Sequence, residues 1–432
     1  MAVKITRLKG SAFLSFPKMS AMLLSEMQER FSFDTKNVKY FSDILYFEDY
    51  SFEDGGASFE EATVSLPKNA TSFEETTSAL TVGATPFEGE VNSSTKGAQS
   101  FEEATVSLPK NATPFEGAAT SLTKNAPSFE GATISLPKGI TSLPTAATSS
   151  PTATPSSPNH PVIPKENPYW SKCTFASPYI LKFDSIGEAA GELKKIQRSW
   201  APYFFTCFRR GQLIQEKLPY VNLKNRNFPF EYPDSPIGIY TLLDEKTILF
   251  SPKTFSSLPA GNICFNEDHV NPPSRAYLKI QESLAQAHHF FKMPYPDQTS
   301  RSFEAGACPG GWTWVLVNLG SKVFAVDRSP LADSLMQNPK VTFLAHDAFT
   351  LTPEEVGECD WVFSDVICYP DRLYEWCCKW LESGKTKKMI CTIKMQGKID
   401  WPLVEKFASI PDSLVLHLNY NKHELTWIHV GK

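Results

Sequence analysis

Apolar and polar positions follow strand or helix spacing at both ends of the chain, with a long polar stretch between them. Near the N-terminus, an apolar run at 12–16 precedes a helical pattern at 19–31 and a second apolar run at 44–47. This spacing predicts a strand, a helix and a strand. Residues 1–50 are therefore predicted to form the first part of a small α+β domain.

Residues 51–165 repeat a short motif instead. Six phenylalanines, each followed by glutamate, recur every fourteen residues: Phe59, Phe73, Phe87, Phe101, Phe115 and Phe129. The repeats run into Ser/Thr/Pro-rich sequence and contain too few apolar residues to bury a core. A small solenoid is the alternative, because repeats of fixed period can stack. We predict a disordered insertion.

A folded pattern returns at Tyr169. It predicts a helix at 185–200, capped by Ser185, and strands at 179–183, 237–243 and 247–251. We assign 166–268 to the second part of the α+β domain, which the insertion splits. The run at 200–210 is aromatic and basic, a composition that can bind RNA by stacking on bases and neutralising phosphates. The alternative is that its aromatic residues belong to the core and its arginines are solvated.

The segment 269–432 alternates strands and helices. Strands are predicted at 322–327, 341–347, 361–365, 389–395, 414–418 and 426–430. Ser329-Pro330 and Thr352-Pro353 each place a capping hydroxyl before a proline, and a helix with one apolar side is predicted to end at Gly384. The pattern predicts a doubly wound α/β sheet closed by two consecutive strands.

Composition narrows the class of protein. The 432 residues include 41% hydrophobic residues, but no apolar run is long enough to cross a membrane and the first residues lack a secretory pattern. We expect a cytoplasmic protein. Nine scattered cysteines, without a Cys-x-x-Cys pair, predict reduced thiols and neither a disulfide framework nor a metal site.

Charge is divided unevenly along the chain. Twelve acidic residues against four lysines give the stretch 51–137 a charge of −8, so the remainder of the chain, whose total is −5, has a charge of +3. A mildly basic folded part permits contact with RNA without demonstrating it.

The stretch 304–312 reads Glu-Ala-Gly-Ala-Cys-Pro-Gly-Gly-Trp and has the form of a strand end, a glycine-rich turn and a helix start. It lacks the Gly-Lys-Ser/Thr of a phosphate loop, and its glycine spacing differs from that of the dinucleotide fingerprint. The turn is either a cofactor site or an ordinary connection between strand and helix. Its neighbours favour a cofactor site, because Asp327, Asp347 and Asp365 end successive strands, at the edge where open α/β sheets bind ligands.

Several motifs together resemble a known family. They are Pro-Ser-Arg-Ala-Tyr-Leu-Lys at 273–279, Ala-Cys-Pro-Gly-Gly-Trp at 307–312, Val-Asp-Arg-Ser-Pro at 326–330, Ser-Asp-Val at 364–366, Ile-Lys-Met at 393–395 and His-Glu-Leu-Thr at 423–426. They are similar to those of the FtsJ family of S-adenosylmethionine-dependent RNA 2'-O-ribose methyltransferases. The resemblance implies a class I, Rossmann-like methyltransferase domain at 269–432, and its nearest members modify a cytidine ribose of large-subunit (23S) rRNA. The weaker likeness before residue 270 suggests a THUMP-like RNA-binding domain.

The resemblance implies a catalytic tetrad of Lys279, Asp365, Lys394 and Glu424. In this interpretation Lys394 is the base that takes the 2'-hydroxyl proton, and the two carboxylates orient the amines. A second ammonium at Lys279 and partial burial are expected to lower the pKa of Lys394. Taken singly, each lysine is more typical of a solvated strand or helix end.

The resemblance also implies the residues that hold S-adenosylmethionine. Cys308 to Gly311 would face its methionine portion, Asp327 its ribose and Asp347 its adenine, and no metal is expected. The full predicted set is Gly306, Cys308, Pro309, Gly310, Gly311, Trp312, Asp327, Asp347 and Asp365. Glu304 departs from the family, which usually has Asp there.

Two other functions compete with this one. A catalytically inactive RNA-binding or ribosome-assembly protein could keep the same fold. A base methyltransferase is disfavoured by the tetrad and by the absence of an Asn-Pro-Pro-Tyr motif. The expected partner is ribosomal RNA rather than a membrane, and the expected state is a monomer.

Overall fold

The computed structural model describes residues 4–50 and 167–431. The predicted disordered tract at 51–165 therefore lies outside the described residues. The described α-helices are α1 (Ser20–Glu29), α2 (Ile186–Ile196), α3 (Phe208–Lys217), α4 (Tyr277–Phe291), α5 (Gly311–Leu319), α6 (Asp333–Met336), α7 (Pro353–Val356), α8 (Pro370–Ser383) and α9 (Trp401–Ser409). None of these helices is long and apolar enough to cross a membrane.

The described strands are grouped in three sheets. They are β1 (Lys4–Arg7), β2 (Ser11–Ser15), β3 (Lys39–Phe41), β4 (Ile44–Phe47), β5 (Ser171–Phe175), β6 (Tyr179–Lys182), β7 (Trp200–Pro202), β8 (Gly238–Asp244), β9 (Thr247–Ser251), β10 (Arg301–Ala305), β11 (Lys322–Asp327), β12 (Val341–Ala345), β13 (Trp361–Ser364), β14 (Lys388–Lys394), β15 (Ser413–Leu416) and β16 (Glu424–Val430). Short 3-10 helices span Thr35–Asn37 and Pro259–Gly261.

Strands β1 to β9 build two smaller sheets, with orders β3-β4-β2-β5 and β1-β6-β9-β8-β7. Each contains strands from both sides of the tract at 51–165, because β1 pairs with β6 and β2 pairs with β5. An apolar cluster that includes Leu14, Ile44, Ile180 and Leu249 draws on both sheets. A second cluster joins the five-stranded sheet to α2 and α3. The two parts of the chain thus share their sheets.

The third sheet has the order β12-β11-β10-β13-β14-β16-β15. Every strand is parallel to its neighbours except β16, which runs antiparallel to β14 and β15. The predicted doubly wound α/β sheet, closed by two consecutive strands, is confirmed. The strand order reverses between β10 and β13, and ligands bind at such switch points, outside the carboxyl ends of the strands.

Helices cover both faces of this sheet, because alternate residues of its buried strands point to opposite faces. Val362 and Met389 belong to the apolar cluster that contains Trp376 and Trp380 of α8. Their neighbours along the strands, such as Phe363 and Ile390, belong to the cluster that contains residues of α4 and α5. The sheet is therefore the middle of three layers.

The predicted helix 185–200 is correct at its start and wrong at its end. Ser185 and Glu188 form a capping box at the start of α2. The helix stops at Ile196, since Gln197 is extended, and Trp200 begins β7. The Trp200 indole is fully buried and its Nε1 donates to the carbonyl of Leu193, 3.0 Å away. Burial of that ring against α2 requires the chain to turn back.

The predicted caps and helix ends had mixed outcomes. Thr352 caps α7 through a capping box, and α8 ends at Gly384 in the left-handed conformation, as predicted. The prediction for Ser329 is wrong, because α6 begins four residues later, after Ala332, without a side-chain cap. The Ser329 amide instead donates to Asp327.

The aromatic and basic run at 200–210 serves two purposes in the structure. Trp200 lies in the core, and the Tyr203 hydroxyl donates to Asp43. Phe208 and Arg209, at the start of α3, are exposed. The run therefore has core residues at its start and an exposed pair at 208–209.

Candidate active site

The turn after β10 contains backbone conformations that favour glycine. Gly306 has a φ of 77°, and Gly310, which precedes α5, has a φ of 109°. A Cβ on Gly306 would lie 2.6 Å from Val366 Cγ2, and a Cβ on Gly310 would lie 2.3 Å from Leu335 Cδ1. Conformation and space both require glycine at these positions. The predicted form of strand end, turn and helix start is confirmed.

The other residues predicted in this turn differ in exposure. Cys308 and Pro309 are exposed, whereas Gly311 and Trp312 are buried. The Trp312 ring is in edge-to-face contact with the Phe363 ring, with centroids 6.3 Å apart. The Trp312 side chain therefore belongs to the core, and Cys308 and Pro309 border solvent.

Glu304, in β10, is only 2% exposed. Thr313 Oγ1 on α5 donates to Glu304 Oε2 over 2.6 Å. Burial, opposed by this hydrogen bond and reinforced by the negative charge of Asp365, raises the pKa of Glu304 to about 8. At pH 7 this side chain is predominantly a neutral acid that ties β10 to α5.

Asp327 is the last residue of β11 and is half-buried. Its Oδ2 accepts from the Cys308 amide and its Oδ1 from the Ser329 amide, each at 3.0 Å. These bonds fix the carboxylate against the glycine turn. A carboxylate has about four lone-pair sites, so two remain for hydroxyl donors such as a ribose diol.

Asp347 follows β12 by two residues. It pairs with Arg328 at 2.6 Å and with Arg372 at 3.6 Å, and it accepts from the Phe349 amide. Although burial opposes the change, the Phe349 amide and the Arg328 guanidinium hold the pKa of Asp347 below its usual value. The sequence did not identify either arginine as a partner, although Arg328 lies in the Val-Asp-Arg-Ser-Pro motif.

The four residues predicted as a tetrad meet in a closed ring. Lys279 Nζ lies 2.9 Å from Asp365 Oδ2 and 2.6 Å from Glu424 Oε1. Lys394 Nζ lies 2.6 Å from Asp365 Oδ1 and 2.7 Å from Glu424 Oε2. Each amine therefore bridges both carboxylates, and the ring has no net charge when all four groups are ionised.

Four elements bring these side chains together. Lys394 and Glu424 are directly opposite each other in the β14–β16 pair. Asp365 follows β13, which is the other neighbour of β14, and Lys279 is in the first turn of α4. The ring is thus built on helices and strands, although its first and last members, Lys279 and Glu424, are 145 residues apart in the sequence.

The ring charges shift the pKa values of Asp365 and Glu424 in one direction and that of Lys394 in the other. Burial works against ionised Asp365 and Glu424, but the two ammonium groups outweigh it and lower both pKa values. Burial also works against the ammonium of Lys394, but the two carboxylates outweigh it and raise the pKa of Lys394. The expectation of a lowered pKa for Lys394 is therefore wrong, because it counted the second amine but not both acids.

The turn and the ring form one continuous site. A Cβ on Gly311 would lie 2.4 Å from Ser274 Oγ and 3.2 Å from the Tyr277 amide, at the start of the helix that contains Lys279. Gly306 lies similarly close to Val366, the residue after Asp365. The negative charges of Asp365 and Asp327 both act on Glu304. A ligand in the turn would therefore lie next to the ring.

The described residues contain neither a metal-ligand cluster nor a disulfide. Within 4–50 and 167–431, no group of three or more His, Cys, Asp or Glu is placed to hold a metal ion. All nine cysteines lie in these ranges and are free thiols.

The C-terminal part of the chain is similar to known methyltransferases. Residues 272–378 match the family model described as FtsJ-like methyltransferase. Two similar proteins are named ribosomal RNA large subunit methyltransferase M. The one from Saccharophagus degradans is 34% identical over 159 residues, which cover 36% of this chain and 44% of that protein. The one from Thauera aminoaromatica is 31% identical over 172 residues, which cover 36% of this chain and 45% of that protein. The chain thus spans less than half of the length of these relatives. The resemblance inferred from the motifs is confirmed.

Solved structures give weaker likenesses. A putative ribosomal RNA methyltransferase from Plasmodium falciparum has 15% identity and a TM-score of 0.28, covering 37% of this chain and 97% of that one. A putative hemolysin from Streptococcus thermophilus has 17% identity and a TM-score of 0.30, and the match covers 42% of this chain and 75% of that one.

Proposed function

We propose that this chain is an FtsJ-type methyltransferase that transfers a methyl group from S-adenosylmethionine to a ribose 2'-hydroxyl of large-subunit rRNA, at a cytidine. The main support is the closed ring of Lys279, Asp365, Lys394 and Glu424 beside the glycine turn. The names of the similar relatives support the choice of RNA. A monomeric state and a cytoplasmic location belong to the same proposal.

The side chains at the turn fit the donor. Gly306 and Gly310 give the turn backbone conformations that other residues rarely adopt, and its exposed residue Cys308 would face the methionine portion. Asp327 keeps acceptor capacity for the ribose hydroxyls, and Asp347 would lie near the adenine. When bound, S-adenosylmethionine supplies a methyl group on a sulfonium whose neutral thioether leaves readily.

The ring then has two tasks. It must hold the ribose 2'-hydroxyl in line with the methyl group, and it must take the hydroxyl proton as the new C–O bond forms. Lys394 Nζ would accept the proton, and Asp365 and Glu424 would orient that amine through bonds of 2.6 and 2.7 Å. Lys394 must enter the step as a neutral amine, so its raised pKa makes the competent form scarce at neutral pH.

We further propose that residues 1–50 and 166–268 form one THUMP-like domain that contributes to RNA binding. Exposed aromatic and basic side chains occur together in and after α3: Phe208 and Tyr220 are 58% and 78% exposed, and Arg209 and Lys224 are also exposed. Aromatic faces can stack on bases, and the cations can neutralise phosphates.

Replacing 51–165 by a short Gly-Ser linker should leave folding and donor binding intact. The support is that β1–β6 and β2–β5 pairing already joins the strands on both sides of this tract. Calorimetry would follow the thermal transition and the affinity for S-adenosylmethionine in the shortened and full-length proteins. Loss of the cooperative transition in the shortened protein would contradict the domain assignment.

Methylation of RNA tests the function directly. The purified protein, S-adenosylmethionine and protein-free large-subunit rRNA or pre-ribosomal particles would be incubated, and the RNA digested to nucleosides for mass spectrometry. A 2'-O-methylated nucleoside, cytidine by this proposal, is the expected product. Detection of a base-methylated nucleoside would contradict ribose methylation and indicate a base methyltransferase. Mapping methylated sites in the rRNA of cells with and without the gene would identify the modified nucleotide.

Replacing Asp327 by alanine should weaken donor binding. The variant loses the two hydrogen bonds that the ribose hydroxyls of S-adenosylmethionine would donate to the Asp327 carboxylate. Its affinity for S-adenosylmethionine should therefore be about 10- to 100-fold lower. Titration calorimetry with S-adenosylmethionine measures the change. Asp333→Ala, which removes an exposed acid on α6, is the matched control and should bind like the unmodified protein. Equal weakening in both variants would contradict the assigned role of Asp327.

A catalytically inactive RNA-binding or assembly protein is the second candidate. The observation that favours it is the raised pKa of Lys394, because a fully ionised ring is also a stable structural ion-pair network. The two candidates differ in donor binding and turnover. Failure to bind S-adenosylmethionine would favour the inactive protein, and turnover would exclude it.

A further inference from the structure

Helix α4 contains a second buried ionisable group besides Lys279. Glu282 lies one helical turn further on, is fully buried, and belongs to neither the glycine turn nor the ring. Within the described residues, Glu282 takes part in no ion pair of the kind that ties Glu26 to Arg30. A carboxylate removed from water without a paired cation is costly unless several donors satisfy it.

The donors come from the loop at 417–423, which connects β15 to β16. Glu282 Oε1 accepts from the Asn419 amide at 3.0 Å and from Asn419 Nδ2 at 2.9 Å. Glu282 Oε2 accepts from the Tyr420 amide at 3.1 Å. One side chain of α4 therefore holds two consecutive backbone amides of this loop.

The same loop leads directly into the ring. Asn421, which is buried, donates through Nδ2 to the Glu424 carbonyl at 3.2 Å and to Thr426 Oγ1 at 3.0 Å. His417 Nε2 lies 2.9 Å from the Lys422 carbonyl. The backbone from 417 to 424 is thus braced internally, and Glu282 connects that braced segment to α4.

Lys279 and Glu424 are consequently joined twice. Their charged groups meet directly at 2.6 Å, and their backbones are linked through Glu282 and the loop. We propose that Glu282 is a positioning residue that fixes Glu424, and through it Lys394, relative to Lys279. The effect on turnover rests on the proposed methyl transfer, whereas the link between α4 and the loop does not.

Glu282→Gln tests the proposal with little change in shape. The glutamine side-chain oxygen can still accept the two hydrogen bonds from Asn419. Its NH₂ group then faces the Tyr420 amide, and because both groups are donors, the hydrogen bond from Tyr420 is lost. Hydrogen exchange at the Tyr420 amide should become at least 10-fold faster, roughly the effect of one net hydrogen bond. Displaced ring geometry should lower kcat about 10- to 100-fold. The Kd for S-adenosylmethionine should stay unchanged.

Glu188→Gln is the matched control. Glu188 also accepts backbone amides, from Asp184 and Ser185 at the start of α2, but it is only half-buried and its helix packs against the five-stranded sheet. This variant should keep normal kcat and normal exchange at Tyr420. If Glu282→Gln fails to fold, Asn419→Ala is the alternative, because it removes one of the donors to Glu282. Asn419→Ala should also speed hydrogen exchange at the Tyr420 amide and lower kcat, but both effects should be smaller than in Glu282→Gln.

Amine labelling separates this proposal from the proposed function. Brief acetylation followed by mass spectrometry reports how well the ring protects Lys279, and faster labelling in Glu282→Gln is expected even if the unmodified protein does not methylate RNA. Unchanged labelling and unchanged Tyr420 exchange would overturn the positioning role. Normal kcat together with faster exchange would overturn it as well, because the link would then be structural only.

Discussion

Replacing Lys394 by arginine should slow methyl transfer strongly while the donor still binds. A guanidinium keeps the positive charge and can pair with Asp365 and Glu424, but it does not give up a proton in the accessible pH range. Loss of a general base predicts a rate about 10²- to 10⁴-fold lower. Single-turnover transfer of a labelled methyl group to RNA measures the effect, and calorimetry measures donor binding.

Lys279→Arg is the control for this experiment. It makes the same chemical change in the same ring, but Lys279 is not the proposed base, so the loss of rate should be smaller. Comparable activity of Lys394→Arg and the unmodified enzyme would remove Lys394 as the base. Equal losses in both variants would show that the ring needs its geometry at both amines and would likewise contradict a unique role for Lys394.

The rate of the unmodified enzyme should rise steeply with pH. The carboxylates raise the pKa of Lys394 above its ordinary value, and only the neutral amine accepts a proton. The neutral fraction, and with it kcat, should increase about tenfold per pH unit between pH 7 and 9. A pH-independent kcat over this range would contradict the proposed base.

Glu304→Gln should stabilise the protein at pH 8 and have little effect at pH 5. The folded-state pKa of Glu304 is raised from 4.5 to about 8, so the folded state holds the proton more strongly than the unfolded state. Stability is therefore lost as pH rises from the unfolded to the folded pKa. The loss at pH 8 is on the order of 4 kcal/mol. Glutamine remains neutral and avoids this loss.

Thermal unfolding at a series of pH values measures this difference. At pH 8 the Tm of Glu304→Gln should be about 10 °C above that of the unmodified protein, and at pH 5 the two should nearly coincide. Burial also raises the pKa values of Glu26 and Glu282, each to about 7, but both groups are present in both proteins. A Tm difference that does not change with pH would contradict the titration of Glu304.

Sequence patterns predicted the large sheet because its strands and several caps have local signals. They missed α4 as a helix for a physical reason. Leu278 to Ala285 are all buried, polar residues included, so the helix has no solvent-facing side over two turns and shows little amphipathic period there. Strand β7 was missed because it has only three residues.

The ring was predictable only as a set of motifs. Lys394 and Glu424 are distant in sequence, and their contact depends on the β14–β16 register, which sequence spacing alone does not provide. The direction of the Lys394 pKa shift depends on how many carboxylates reach its amine, which requires coordinates. The same holds for Glu282, because its partners lie 137 and 138 residues away.

Pairing of β1 with β6 and of β2 with β5 has a consequence for synthesis of the chain. Lys4 is opposite Lys182, and Ala12 is opposite Phe175, so these two strand pairs cannot be complete until at least 182 and 175 residues, respectively, have left the ribosome. Contacts of such high sequence separation form slowly, since the intervening loop must first be closed. Phe13 and Leu14, which become buried on opposite faces of β2, must meanwhile stay exposed or be shielded by a chaperone.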